Sequence, residues 1–101
     1  MTLHTINLNN ESANIQRCFA LLATGDAVIF LARGVDCVRT DNALTKTIES
    51  LARQKQIDFF ALEEDLNDHS LKQNLPGGVI NIDYTKFVQL VAQNEKTVSW
   101  Y

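Results

Sequence analysis

Two cysteines, two histidines and one acidic run are the side chains here whose types could do chemistry. Cys37 lies in Gly34-Val-Asp-Cys-Val-Arg39, five residues after an apolar strand expected to end near Ala32. In open α/β sheets the carboxyl ends of strands are where ligands and catalytic groups collect. Arg33 and Arg39 would favour a thiolate at Cys37 and Asp36 would oppose it, so the residue is a candidate nucleophile or persulfide carrier. The competing reading is a small apolar side chain under a turn, packed with Val35 and Val38, because a cysteine without a paired base is a weak catalytic signal. Cys18 completes the apolar stripe of an expected helix and reads first as a core residue and second as a functional thiol. Its position makes Cys37 the better exposed thiol of the two. A separation of 19 residues is neither Cys-x-x-Cys nor a zinc pattern. Reduced thiols are expected rather than a disulfide.

His4 falls inside an expected first strand, and His69 follows Glu63, Glu64, Asp65 and Asp68. That grouping matches no HExxH or EF-hand spacing, and acids in a first helical turn are expected from the helix dipole alone. No metal site is expected. Gly77-Gly78 precedes a strand, whereas a phosphate loop needs its glycines between strand and helix. With no Walker, GxGxxG or Gly-x-Ser-x-Gly pattern, no nucleotide or other cofactor is expected.

The elements that must position these residues follow from hydrophobic spacing. Leu3-His-Thr-Ile-Asn-Leu8 alternates and suits a strand. Asn9, Asn10 and Ser12 offer turn and N-cap chemistry. Ile15, Cys18, Phe19 and Leu22 share one helical face, which Gly25-Asp26 ends. Ala27–Ala32 is a short continuous apolar run, as in a strand buried on both faces. Val35 to Arg39 is a loop or one helical turn. Thr40 or Asp41 caps a helix with Leu44, Ile48, Leu51 and Ala52 on one face. Ile57–Leu62 is a third strand, followed by a short acidic helix and the Pro76-Gly-Gly78 breaker. Val79–Ile82 is a fourth strand, and Asp83 caps a helix whose buried face is expected to be Tyr84, Phe87, Val88 and Val91. Thr97-Val-Ser-Trp-Tyr101 is a fifth strand, expected at a sheet edge. The pattern βαβαβαβαβ predicts a single α/β domain over residues 1–101, a three-layer α/β/α sandwich around a mostly parallel five-stranded sheet. Trp100 and Tyr101 either pack back onto the domain or anchor a subunit interface.

Composition narrows the function classes. The 101 residues are 46% hydrophobic with a net charge of −3, which suits one globular domain. The nine basic residues form no run, so direct nucleic-acid binding is not expected. No apolar segment approaches bilayer length, and the Met-Thr-Leu-His start lacks the basic and apolar regions of a signal peptide. The expectation is a cytoplasmic protein without membrane contact, able to self-associate when isolated if an interface is left uncovered.

Leu3-His-Thr-Ile, the strand ending in Gly34-Val35, Ala61-Leu-x-x-Asp-Leu66, and Ile82-Asp-Tyr-x-x-Phe-Val-x-Leu90 followed by a terminal Trp together resemble the TusB/DsrH family over essentially the whole chain. The resemblance implies a DsrE-like fold and assembly with TusC-like and TusD-like subunits into a dimer of heterotrimers. Such a complex relays persulfide sulfur to a TusE-like acceptor and towards the 2-thio group of a tRNA wobble uridine. DsrEFH relatives serve dissimilatory sulfur metabolism instead. It also implies that the main sulfur-accepting cysteine belongs to the TusD/DsrE subunit, leaving this one as scaffold rather than catalyst. Cys18 resembles a cysteine on the first helix of DsrH-type members. Cys37 matches no family cysteine, and His69-Ser70 stands where members often have Arg-Gly. A self-sufficient sulfurtransferase using Cys37 or Cys18 is the alternative.

Overall fold

The β4-β3-β2-β1-β5 order of a five-stranded, wholly parallel sheet organises the chain. A computed structural model describes residues 1–8, 12–39, 44–70, 75 and 77–100. Tyr101, the Asn9–Asn10 turn, the Thr40/Asp41 cap and Pro76 lie outside the described residues. The strands are β1 (Thr2–Ile6), β2 (Ala27–Phe30), β3 (Asp58–Leu62), β4 (Val79–Ile82) and β5 (Lys96–Trp100). The helices are α1 (Ala13–Leu21), α2 (Leu44–Gln54), α3 (Glu63–Asp68) and α4 (Tyr84–Gln93). A 3-10 segment spans Ala32–Val38 where a loop or single turn was expected. No described helix is long and apolar enough to cross a membrane.

Right-handed crossovers account for the layering. From β1 to β4 the chain steps in one direction, so α1 and α2 fall on one face. The return from β4 to β5 reverses direction and places α4 on the other. Alternation along each strand then sorts side chains between two cores. Val28, Phe30, Phe59 and Ala61 face Ile15, Cys18, Phe19 and Ile48 on the α1/α2 side. Phe30 stacks on Phe59 with ring centroids 6.1 Å apart, and Phe19 meets Phe59 edge-on. Leu3, Ile29, Phe60 and Ile82 face Leu90 on the α4 side. β2 is buried at all four positions, as its continuous apolar run predicts. β5 lies at one edge, also as expected.

Two of the described N-caps use the predicted chemistry. Ser12 accepts from the Asn14 N–H at the start of α1, and Asp83 accepts from the Lys86 N–H at the start of α4.

The expected inner face of α4 requires correction. Tyr84, Val88 and Val91 are 58%, 51% and 41% exposed, Phe87 is half-buried, and Leu90 is the buried residue. The stripe at i, i+4 and i+7 is real, but at 100° per residue the side that meets the sheet, Phe87 and Leu90, is turned roughly 100° from it. The helix also has a wide span to cover. A single helix is ~10 Å across, while four strand spacings make ~19 Å of sheet. One helix therefore leaves part of this face open. Ile80, on the same face as Ile82, is 55% exposed.

Candidate functional site

The carboxyl ends of β1, β2 and β3 bring the sequence-predicted polar residues together. The chain leaves β2 through Ala32, whose φ of 50° lies in the left-handed region. Its N–H donates to the Asp65 carboxylate at 2.7 Å, which ties the start of the 3-10 segment to the first turn of α3. The Arg33 N–H donates to Asn7 Oδ1 at 3.2 Å. Gly34 fits because a Cβ there would stand 1.9 Å from the Ile6 carbonyl oxygen. That close approach presses the 3-10 segment against the end of β1.

Asp36 projects from this segment. Its Oδ1 lies 3.2 Å from His69 Nδ1 and 3.5 Å from Arg39 Nε. His69 thus pairs with a carboxylate 33 residues away rather than with the acidic run preceding it. The arrangement is a half-exposed imidazole–carboxylate–guanidinium cluster that can hold charge and orient a proton.

Of the two readings of Cys37, the geometry matches the small side chain packed under a turn with Val35 and Val38, not the better exposed thiol. It is fully buried, and its Sγ donates to the Leu8 carbonyl at 3.4 Å. It points inward with Val35 and Val38, because the close Gly34–β1 approach rolls that side of the segment into the core. Burial, with added repulsion from Asp36 and Cys18, pushes its pKa up to about 12. Cys18 is also fully buried, and burial pushes it up to about 12. The two thiols belong to one core cluster and form no disulfide. In this state neither is a ready nucleophile, since the reactive form is the thiolate.

A second polar constellation, not foreseen from sequence, sits inside the α1/α2 side. His4 is 5% exposed; its Nε2 lies 3.3 Å from Asp26 Oδ2, and its Nδ1 accepts from the Trp100 indole N–H at 3.1 Å. The Trp100 ring stacks on the imidazole with centroids 6.4 Å apart. Asp26 also accepts from the N–H groups of Thr2 and Ala23. Burial would raise the Asp26 carboxyl. The two backbone donors and His4 outweigh it and hold the pKa below the ordinary carboxylate range. Trp100 is half-buried against the core, while Tyr101 lies outside the described residues. The signal in the sequence was present but incomplete: a histidine at an inward strand position needs a partner, and spacing does not say which.

Comparison with known proteins bears on the whole chain. The family described as DsrH like protein matches residues 9–97. Protein TusB of Salmonella arizonae is 32% identical over 98 residues, covering 97% of this chain and 99% of that protein. Protein TusB of Shigella sonnei is 33% identical over the same length. Among solved structures, the ychN protein from E. coli superposes with a TM-score of 0.80 at 10% identity, covering 98% of this chain and 97% of that one. A protein of unknown function, MTH1491 from Methanobacterium thermoautotrophicum, gives 0.78 at 15% identity, covering 97% and 96%. At those identities the two structures speak for the fold. The near-full-length match to the DsrH description and to the TusB relatives goes further: this chain belongs to the TusB/DsrH family.

Proposed function

We infer that this chain is a subunit of a sulfur-relay complex, built to hold partners rather than to carry sulfur itself. The observation that carries this reading is the outer surface of α4, where Tyr84, Val88 and Val91 stand exposed in one stripe. Ile80 is exposed on the same side of the sheet. A helix that turns an apolar stripe to solvent leaves surface that association would cover. The buried, un-ionised thiols support the same reading from the chemical side. Membership of the TusB/DsrH family supports this reading, in which the partners are TusC-like and TusD-like subunits in a dimer of heterotrimers, with a TusE-like acceptor downstream. The relay so formed passes persulfide sulfur towards 2-thiolation of the tRNA wobble uridine. Trp100, at the β5 edge, and Tyr101 are further interface candidates.

The test is co-expression with the two sister subunits. The chain should co-purify with both, and the double substitution Tyr84→Ser with Val88→Ser should abolish co-purification while the isolated variant keeps its far-UV circular dichroism. Undiminished co-purification of the folded variant would overturn the assignment of this surface. Loss of the 2-thio modification in a deletion strain would support the tRNA branch, and intact modification would refute it. A persulfide adduct on Cys37 or Cys18 of the isolated folded chain would instead favour a self-sufficient sulfurtransferase.

A further inference from the structure

The indole N–H of Trp100 can only donate, so His4 Nδ1, 3.1 Å away, must present a lone pair. The single proton of neutral His4 therefore sits on Nε2, directed at Asp26 Oδ2. A second proton has one place to go, Nδ1, and there it would set two donors against each other. Asp26 meanwhile keeps its charge through the Thr2 and Ala23 N–H groups and stays a good partner for an imidazolium. Protonation thus spares the Asp26 contact and removes the Trp100 contact.

We propose that His4 is a proton-operated latch on the edge strand β5. Neutral, it holds the Trp100 indole inside the domain; cationic, it keeps Asp26 and lets the indole go. β5 suits such a device because β1 is its one sheet neighbour among the described strands. The end of the strand is secured by the Asn7 N–H donating to the Trp100 carbonyl as well as by the indole. Release can therefore stay local to the last strand. The surrounding charges leave control with Asp26: Asp58 of β3, whose N–H donates to the Asp26 carbonyl, is exposed. β2 contributes no charged side chain, and Arg17 of α1 is exposed. Lys55, beyond α2, is turned to the Leu22 carbonyl. Glu95 and Lys96 are placed at the opposite end of β5, near the exposed amino terminus at Met1.

Trp100 is the one tryptophan of the chain, so its fluorescence reports the latch directly. The full chain would be taken from about pH 8 to about pH 5, the range in which imidazoles titrate. Indole emission would be followed beside long-range ¹H–¹⁵N spectra of His4 and far-UV circular dichroism. The expected result is a red shift that tracks the second protonation of His4 while secondary structure is unchanged. The shift should be absent in His4→Gln and displaced to lower pH in Asp26→Asn, which withdraws the partner of the cation. Protonation of His4 without an indole response would overturn the proposal. So would a shift that survives in His4→Gln, a midpoint unmoved in Asp26→Asn, or a His4 that stays neutral until the chain unfolds.

Discussion

Challenging the folded chain with a disulfide reagent tests how its two thiols are held. The attacking species in disulfide exchange and in sulfur transfer is the thiolate. Burial, then Asp36 and Cys18, lifts Cys37 from the ordinary 9.0 to about 12, and burial alone does the same for Cys18. At about pH 7 a thiol titrating near 9 is ionised to roughly 1%, and one titrating near 12 to roughly 10⁻⁵. That is about a thousandfold loss of reactive form before access is counted. Both sulfurs are also fully buried, so reagent reaches them through opening of the fold. A domain stable by ~5 kcal/mol is globally open on the order of 10⁻⁴ of the time. With either limit, release of thionitrobenzoate from dithiobis(nitrobenzoate) by the native chain should run at least ~10³-fold slower than from the chain in concentrated guanidinium chloride. In the denaturant both cysteines should react promptly. Single Cys18→Ser and Cys37→Ser variants would assign each phase. A native-state rate within about tenfold of the unfolded one, at either cysteine, would refute the argument that burial silences these thiols.

Two further perturbations follow from the same geometry. Gly34→Ala would put a methyl group 1.9 Å from the Ile6 carbonyl oxygen, a backbone atom that cannot rotate away. The expected cost is about 3 kcal/mol, the upper end of core overpacking, read from the urea midpoint at unchanged m; a loss below ~0.5 kcal/mol would contradict it. Asp26 is held below its ordinary value in the folded chain, so its contribution is fully present above about pH 4 and is lost as pH falls further. Asp26→Asn should therefore cost about 2 kcal/mol near pH 7 and flatten the loss of stability below about pH 4. Parallel acid curves for the two proteins, from urea melts at each pH, would remove Asp26 from the account.

Local rules carried the reading of the elements a long way. Val79–Ile82 and the Asp83 cap lie where breaker and cap chemistry put them. The α1 stripe and the doubly buried β2 follow from spacing alone. The failures share a cause. The Tyr84/Val88/Val91 stripe has the period of a buried face, yet which side of α4 meets the sheet depends on how that helix crosses from β4 to β5. The position of Cys37 after a strand end left an exposed thiol and a buried side chain both open; the close Gly34–Ile6 approach that decides for burial belongs to tertiary structure. His4, Asp26 and Trp100 are 22 and 96 residues apart in the chain, and they meet because β5 returns beside β1. Strand order was the piece that no local pattern could supply, and the polar core hangs on it.

The pairing of β1 with β5 also has a consequence for the birth of the molecule. Thr5 and Ser99, hydrogen-bonded across these strands, are separated by 94 positions. At about 5–20 residues per second, a ribosome needs roughly 5–20 s to supply the second after the first. Through that interval β1 can settle against β2 with its other edge bare, a template open to any extended segment nearby. The growing chain is thus at its most vulnerable along β1, and closure waits for β5. A chaperone that shields this edge during translation would raise the yield of folded protein without altering the final structure.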